Sequence, residues 1–314
     1  MTELHLVAPE GVGEVGPGDD LAEALTALVE LHDGDVVLVT SKVVSKAEGR
    51  VVPGTRDDAL AGETARVVAR RGATRIVRTH HGLTLAAAGI DASNVEPGRV
   101  VLLPVDPDAS ARRLRDRLAQ LTGRNVGVVV TDTAGRAWRT GQTDLAVGAA
   151  GVHVLDDHAG RRDGYGNDLA VTAPAVADEL AAAAELVQGK LGRRPFAVVR
   201  GRPDLVLPPG DHGPGAAALI RPEDADMFGL GSREAVVRAL AGDPSTRVGF
   251  GAVAASDEVA EAVVAVTGVP PQAAGSGLLA EGAWEALCVL AFAHGWHAVR
   301  ADPPATARLL PGTP

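Results

Sequence analysis

The sequence predicts a mixed α/β fold, in which strands alternate with helices, rather than a repeat array or a helical bundle. Short runs of β-branched residues are separated by segments whose apolar residues recur at helical spacing. Apolar residues make up 46% of the 314 residues, yet the aromatic ones comprise only three Trp, one Tyr and four Phe. The core is therefore built mainly from Val, Leu and Ala, as is typical of α/β enzymes.

The strands and helices follow one another along the chain. After a short strand near residues 5–7, the β-branched runs predict strands at residues 36–40, 75–79, 100–105, 126–131 and 196–200. Asp19 or Asp20 caps the first helix, and Asp57 opens a second helix that runs to Gly72. Further helices are predicted at residues 110–121, 173–190, 232–240, 257–266 and 283–292. The segment 204–226, rich in Pro, Gly and Asp, is expected to cover a functional site.

Charge and terminal sequence exclude several classes of function. A net charge of −10 argues against non-specific binding to the nucleic-acid backbone, which requires clustered cations. The single Cys288 cannot form an intrachain disulfide, and the first residues lack the pattern of a signal peptide. The longest apolar run, residues 286–293, is far shorter than the roughly 20 residues of a membrane span. We therefore expect a cytoplasmic protein that binds neither membrane nor nucleic acid.

The choice of basic residues is unusual. Only Lys42, Lys46 and Lys190 are lysines among the 30 basic residues, and two of them lie four residues apart. Where a chain that uses Arg elsewhere has Lys, a compact and flexible point charge can be needed, as in phosphate binding. Chance is an equally open explanation on composition alone.

The segment Gly11–Gly16 matches the dinucleotide-binding pattern G-x-G-x-x-G and follows a possible strand. That pattern requires a helix to open within the glycine turn, so that its first N–H groups meet the pyrophosphate. Here Pro17-Gly18 intervenes and the helix begins later. A plain turn, or a different kind of nucleotide contact, is therefore favoured over a Rossmann domain.

Three polar segments carry candidate chemistry. Residues 40–50 (TSKVVSKAEGR) follow a buried strand. They could either bind phosphate oxygens or form a solvent-exposed segment at the edge of the sheet. Residues 89–94 (GIDASN) suit either a hard cation or an Asx turn. Residues 131–144 (TDTAGRAWRTGQTD) are the densest polar segment, in which a carboxylate and a hydroxyl could complete an Mg²⁺ or Mn²⁺ site with Asp91. Arg136 and Arg139 in the same segment could clamp an anion.

These segments occur in one order that resembles a known family. SKVVSKAEGR (41–50), AGIDASN (88–94), TDTAGRAWRTGQ (131–142), ADELAAAAELVQGK (177–190) and VRG (199–201) are similar to motifs of the coenzyme F420-0:L-glutamate ligases, which include CofE and the N-terminal domain of FbiB. The likeness runs from about residue 4 to residue 240. It implies an α+β, mixed-sheet CofE-like fold with two subdomains, distinct from Rossmann and ATP-grasp folds.

The resemblance also implies an activity. Such enzymes use GTP and a divalent metal ion, Mg²⁺ or Mn²⁺, to add L-glutamate to coenzyme F420-0 and then γ-linked glutamate to F420-1 through an acyl phosphate. K⁺ is an additional cation, dehydro-F420-0 is an alternative acceptor, and the enzyme is a homodimer. Two weaker alternatives are an NAD(P)-dependent oxidoreductase, based on Gly11–Gly16, and a nucleotide-binding module without catalysis.

Site residues are carried over one by one from the matching motifs. Asp91, Asp132 and Thr133 are the implied metal ligands, and Asp91 and Asp132 together with Arg136 form the expected catalytic set. The implied GTP contacts are Val12, Gly13, Glu14, Val15, Ser41, Lys46 and Asn94. Residues 1–240 are expected to form the ligase domain and residues 241–314 an extension of unknown role. FbiB proteins continue into a flavin-binding domain, and about 70 residues are too few for it.

Overall fold

The computed structural model describes residues 3–303 and 305–312, which divide into two compact units, Met1–Ile220 and Arg221–Pro314. The division precedes residue 240, the boundary expected from the sequence. Helix α6 (Ser232–Ala241) packs against helix α8 (Trp284–Ala293) and so belongs to the second unit.

The first unit contains most of the predicted elements. Its strands are β1 (His5–Val7), β2 (Val36–Thr40), β3 (Val51–Pro53), β4 (Thr64–Arg71), β5 (Thr74–Thr79), β6 (Thr84–Ala86), β7 (Arg99–Val101), β8 (Gly127–Arg136), β9 (Arg139–Ala150), β10 (Arg161–Arg162), β11 (Asp168–Leu169) and β12 (Phe196–Arg200). Its helices are α1 (Leu21–Thr26), α2 (Ser41–Ala47), α3 (Arg56–Glu63), α4 (Pro107–Thr122) and α5 (Val176–Gln188).

A five-stranded mixed sheet in the order β1-β12-β2-β8-β9 forms the centre of this unit. Only β2 and β8 pair in parallel among its described strands, whereas the other neighbours are antiparallel. A dinucleotide-binding sheet is mostly parallel, so this topology is not a Rossmann fold. The chain is mixed α/β with a mixed sheet, as the sequence predicts.

Both faces of the sheet are covered, which explains the continuous apolar runs of its central strands. Val37 and Val39 of β2 face a core that includes residues of α1 and α4, whereas Val36 and Leu38 face the core that contains α5. Asp20 caps α1 by accepting hydrogen bonds from the backbone N–H groups of Ala22 and Glu23. The helices therefore form one layer on each side of the sheet.

The predicted helix from Asp57 to Gly72 is wrong in its second half. Helix α3 ends at Glu63, and the chain continues as β4, which pairs antiparallel with β5. β-Branched Val67 lies opposite Val77 in this pairing, and such residues favour strands when a partner is available. Cross-strand pairing outweighs the local helical pattern here.

The smaller strands β3 to β7 pack around their own core. Leu60, Val77, Ile90, Val100 and Leu102 are buried together in it. Strands β3 and β7 form one antiparallel pair, and β4, β5 and β6 form a three-stranded sheet. This core holds the backbone on either side of Asp91, which forms an isolated bridge with Val101.

The Pro- and Gly-rich segment that begins at residue 204 is anchored to α4 through its residues 207–211. Arg115 is 4% exposed and donates hydrogen bonds to the carbonyl oxygens of Leu207, Pro208 and Asp211. Its Nε also donates to the carbonyl of Val126, which directly precedes β8. Arg115 therefore holds residues 207–211 near the start of β8, and the expectation that the segment covers a functional site stays a prediction for its remaining residues.

The second unit contains α6, α7 (Ser256–Thr267) and α8, with the strands β13 (Gln272–Ala274), β14 (Gly277–Glu281), β15 (Trp296–Ala301) and β16 (Thr306–Pro311). The strands form an antiparallel sheet in the order β13-β14-β16-β15. Its three helices confirm the sequence prediction, whereas its four strands were not predicted. No helix in the described part of the chain combines the length and apolar character needed to cross a membrane.

Candidate active site

The parallel pair β2–β8 places two predicted site residues side by side. Thr40 lies opposite Thr131 where the pairing of these strands ends, so Ser41, which leaves the sheet, lies beside Asp132, which continues along β8. Ser41 begins α2, and its hydroxyl donates a hydrogen bond of 3.1 Å to Oδ1 of Asp132. This contact joins the first and third polar segments of the sequence.

Asp91 receives several donors from its surroundings. The Nζ of Lys42 lies 2.6 Å from Oδ2 of Asp91 and 2.7 Å from Oγ of Ser93. Ser93 donates to Asp91 from both its backbone N–H and its hydroxyl, each at 2.8 Å. The guanidinium of Arg56 lies 3.5 Å from the other carboxylate oxygen. Asp91 is thus held as an ionised group, and the Asx turn is present as well.

A left-handed stretch of backbone brings the Asp91 segment against Asp132. Ala87 and Ala88 have φ angles of 48° and 55°, and Gly89 follows at 73°. For residues other than Gly this conformation costs about 1–2 kcal/mol each, and such strain is often concentrated at functional sites. A side chain at Gly89 would lie 3.2 Å from Oδ2 of Asp132, so glycine permits this close approach.

Thr133 is fixed by two partners. Its hydroxyl donates to Oδ1 of Asp144 at 2.6 Å and accepts from Nζ of Lys190 at 3.0 Å. Asp144 lies opposite Thr133 in the β8–β9 pairing and is 3% exposed. Because the hydroxyl proton points to Asp144, the oxygen of Thr133 faces the ammonium of Lys190. The hydroxyl of Thr133 is therefore held between a carboxylate and a lysine ammonium.

The glycine-rich loop of residues 11–16 approaches the same helix, α2. Lys46 is buried, and its ammonium forms an ion pair with Glu14. Val15 belongs to the main core, Val12 packs against it, and Gly13 has open space around its Cα. Helix α1 begins only at Leu21, so these glycines are not part of its first turn. The dinucleotide pattern therefore lacks the helix that its phosphate contact requires.

Two predicted residues lie apart from the contacts described above. Asn94 follows Ser93 in a left-handed conformation with φ of 55°, and its side chain is exposed. Arg136 lies at the end of β8, four residues beyond Asp132, where its guanidinium donates to the carbonyl of Thr140. Four strand residues span about 13 Å. The structure thus brings Ser41 and the Asp91 segment to Asp132, places Thr133 next to Asp132 in β8, and leaves Arg136 at the hairpin tip.

Lys42, Lys190 and Gln188 were not among the predicted site residues. Each of the three lysines of the chain now has a partner at this site: Lys42 on Asp91, Lys46 on Glu14 and Lys190 on Thr133. Their rarity in an Arg-rich chain was the signal that could have identified them. Gln188 ends α5 and is 1% exposed, yet both its amide atoms lack a hydrogen-bond partner. Buried amides of this kind are rare outside functional sites.

The two main carboxylates differ in their ionisation. Burial raises the pKa of Asp132 to about 7, with the hydrogen bond from Ser41 offsetting only part of the effect. Burial also acts on Asp91, but the hydrogen bonds from Lys42 and Ser93 outweigh it and lower the pKa of Asp91 to about 2. Negative charge on Asp91 and Asp144 further raises the pKa of Asp132. A buried carboxylate among like charges is stabilised by a cation.

The donor set fits a hard divalent cation. Asp91, Asp132 and Thr133 offer only oxygen atoms, which Mg²⁺ and Mn²⁺ prefer. Within residues 3–303 and 305–312, no group of three or more His, Cys, Asp or Glu side chains is arranged to hold a metal ion. Two carboxylates and a hydroxyl nevertheless suit Mg²⁺, because this ion usually keeps waters and binds substrate phosphates beside one or two carboxylates.

Comparison with known proteins gives matches that cover most of the first unit of the chain. The family model described as F420-0:Gamma-glutamyl ligase matches residues 11–74 and 56–201. A protein of Methanopyrus kandleri named coenzyme F420:L-glutamate ligase is 44% identical over 237 residues, covering 68% of this chain and 93% of its own length.

Two further archaeal proteins of the same name are similar. The one from Archaeoglobus fulgidus is 42% identical over 212 residues, or 61% of this chain and 85% of the relative. The one from Methanothermobacter thermautotrophicus is 38% identical over 252 residues, or 72% of this chain and 98% of the relative. The matches span nearly the whole length of these ligases, and the family model covers Ser41, Asp91, Asp132 and Thr133. The chain therefore belongs to the F420-0:gamma-glutamyl ligase family of enzymes.

Proposed function

We propose that this protein adds L-glutamate to coenzyme F420-0, and γ-linked glutamate to F420-1, with GTP and Mg²⁺ or Mn²⁺. The observation that carries the proposal is the approach of the Asp91 segment to Asp132 at Gly89, with Ser41 bound to Asp132 and Lys42 bound to Asp91. These are the segments on which the likeness to the ligases rests. The proposal includes dehydro-F420-0 as an alternative acceptor, K⁺ as a further cation, a homodimer and a cytoplasmic location.

The chemistry requires activation of an unreactive carboxylate. The terminal carboxylate of the acceptor attacks the γ-phosphorus of GTP, which forms an acyl phosphate and releases GDP. The amine of L-glutamate then attacks the acyl carbon, which forms the amide and releases phosphate and a proton. Phosphoryl transfer depends mainly on positioning and on stabilisation of charge rather than on a protein nucleophile. The contacts described at this site do not include a Ser or Cys nucleophile paired with a His base, and the reaction does not need one.

The residues of the site have separate roles in this scheme. Asp91, Asp132 and Thr133 would hold the divalent ion, which when bound neutralises the charge of the phosphates. Lys46 and Ser41, both on α2, offer an ammonium and a hydroxyl to phosphate oxygens. Glu14 holds the Lys46 ammonium in the absence of such an anion, and Asp144 holds the hydroxyl of Thr133.

The nucleotide contacts in this proposal also include the loop that contains Glu14. We place GTP against Val12, Gly13, Glu14 and Val15, with Asn94 as a further polar contact. Gly13 has no atom within 4 Å of the position a side chain would take, so a ligand can approach its backbone. Arg136 is kept as a residue for the anionic acceptor or the incoming glutamate, although it lies at the tip of the β8–β9 hairpin.

The test is formation of product with all components present. Purified protein is incubated with GTP, Mn²⁺ or Mg²⁺, F420-0 and L-glutamate, and GDP release is measured together with the mass of the acceptor. We expect GDP only in the complete mixture and an acceptor heavier by one or more glutamyl units. GTP binding without either product would contradict the proposal, and NAD(P)H oxidation in its place would favour an oxidoreductase.

A further inference from the structure

The inference concerns Lys42, which lies beside the proposed metal ligand Asp91. Its Nζ contacts Oδ2 of Asp91 at 2.6 Å and Oγ of Ser93 at 2.7 Å. Arg56 approaches the other oxygen of the same carboxylate only to 3.5 Å. The lysine ammonium is thus the close cation of Asp91, on Oδ2, whereas Oδ1 accepts from the backbone N–H of Ser93 at 2.8 Å and has the guanidinium only at a distance.

The position of Lys42 on α2 connects the two carboxylates of the site. Ser41, the preceding residue, donates to Asp132. Neighbouring residues of one helix turn therefore contact the two proposed metal ligands, Ser41 with a neutral donor and Lys42 with a positive charge. The side chains of Lys42 and Asp91 are 21% and 30% exposed, so solvent screens this pair less than a fully exposed one.

A lysine ammonium suits a contact that must form and break. It is a compact point charge on a flexible chain, whereas a guanidinium binds a carboxylate through a fixed two-pronged geometry. The chain uses Arg for 27 of its 30 basic residues and Lys for three, so the lysine at this carboxylate departs from its usual choice. A divalent ion on Oδ2 of Asp91 could not share that oxygen with an ammonium at 2.6 Å without strong repulsion.

We propose that Lys42 is a tethered counter-ion of Asp91, which a divalent metal ion displaces when it binds. The inference rests on the proposed function, in which Asp91 is a metal ligand. A free ion competes with Lys42 for the carboxylate. An ion that arrives with a triphosphate brings negative oxygens, which give the displaced ammonium a new partner. Lys42 is accordingly a positioning residue that disfavours metal without nucleotide.

The experiment measures Mn²⁺ binding to the full-length protein by isothermal titration calorimetry without nucleotide. We expect Lys42→Met to bind Mn²⁺ about three- to tenfold more tightly than the wild type, because the competing charge is removed. Lys42→Arg keeps the charge and should show no gain. Arg117→Met removes an equal charge from a pair with Asp20 and Glu23, and it should leave Mn²⁺ affinity unchanged.

Asp91→Asn separates this inference from the proposed function. It should lose Mn²⁺ affinity, and adding Lys42→Met to it should restore none. If Asp91→Asn weakens binding while Lys42→Met binds no more tightly than the wild type, the inference about Lys42 is wrong and the metal site stands. If Asp91→Asn binds Mn²⁺ as the wild type does, Asp91 is not a ligand and both ideas fail. If Lys42→Met failed to fold, it would bind Mn²⁺ more weakly. Misfolding therefore cannot produce the tighter binding that we expect of this variant.

Discussion

The hydroxyl of Ser41 donates a 3.1 Å hydrogen bond to the carboxylate of Asp132, although the two residues are 91 positions apart in the chain. Each residue directly follows a member of the opposed pair Thr40 and Thr131. The parallel pairing ends at that point although β8 continues to Arg136, and ligand contacts commonly gather beyond the carboxyl end of a parallel strand such as β2. One parallel pair in an otherwise antiparallel sheet therefore assembles the candidate active site.

Asp132→Asn should abolish activity while leaving the fold intact. Asn keeps the shape of Asp and can still accept the hydrogen bond from Ser41. It also removes a buried carboxyl group whose pKa is raised by burial to about 7. Loss of a charge that acts on the phosphates is expected to lower the rate of GDP formation by about 100-fold or more. The melting temperature should stay the same or rise. Equal loss of folding and activity would disprove a catalytic role for Asp132.

Gly89→Ala should weaken both the fold and the site. An alanine Cβ would lie 3.0 Å from the side chain of Leu103 and 3.2 Å from Asp132, at a φ of +73°. The left-handed conformation alone costs about 1–2 kcal/mol, and the contacts displace Asp132. Gly98→Ala is the matched control, because Gly98 has φ of +82° and open space around it. Denaturant unfolding should show a cost for both variants, whereas only Gly89→Ala should lose GDP formation.

Arg115→Met should destabilise the protein without altering its chemistry. The guanidinium donates to the carbonyls of Val126, Leu207 and Pro208. Removing it takes a donor from all three carbonyls, of which those of Leu207 and Pro208 each keep another donor. The expected cost is about 3 kcal/mol in the free energy of unfolding. Because Arg115 binds the carbonyl of Val126 and Asp132 lies six strand residues further on, or about 20 Å away, kcat per folded molecule should be unchanged. A variant as stable as the wild type would contradict this role.

Asp178→Asn should change how stability depends on pH. Burial raises the pKa of Asp178, and the hydrogen bond from the N–H of Ala146 offsets only part of that effect. The folded state therefore retains a proton that the unfolded chain loses, and stability from this group falls as pH rises from about 3.8 through the raised pKa. Asn does not titrate. The variant should gain unfolding free energy relative to wild type as the pH rises from about 3.8 through the raised pKa of Asp178, and a difference that is constant with pH would contradict the assignment.

The second unit should be dispensable for ligation. Among the described residues, its buried core includes Val259, Leu287 and Leu309, and the first unit has cores of its own. The family model ends at residue 201. A chain that ends at Ile220 should therefore fold, as judged by a cooperative melting transition, and form GDP and glutamylated product as the full chain does. Loss of activity in a folded truncated chain would assign the second unit a catalytic role.

Much of the fold could be predicted from the sequence. The strands Val36–Thr40 and Phe196–Arg200 have the predicted bounds, and the predicted helices of the second unit are present. These elements have strong local patterns. Strand β4 was predicted as helix, and β13 to β16 were not predicted, because strands gain their stability from partners that are distant in sequence or are chosen by register.

The sequence by itself determined which residue types carry the chemistry. The polar segments after the strands, the family likeness of their motifs and the rarity of lysine all lie in the linear order of residues. Only the tertiary structure decided which of these residues meet: Lys42 on Asp91, Ser41 on Asp132 and Lys190 on Thr133, with Arg136 left at a hairpin tip. The physical reason is that strand pairing and the left-handed turn before Asp91 set distances between segments, and no local pattern encodes them.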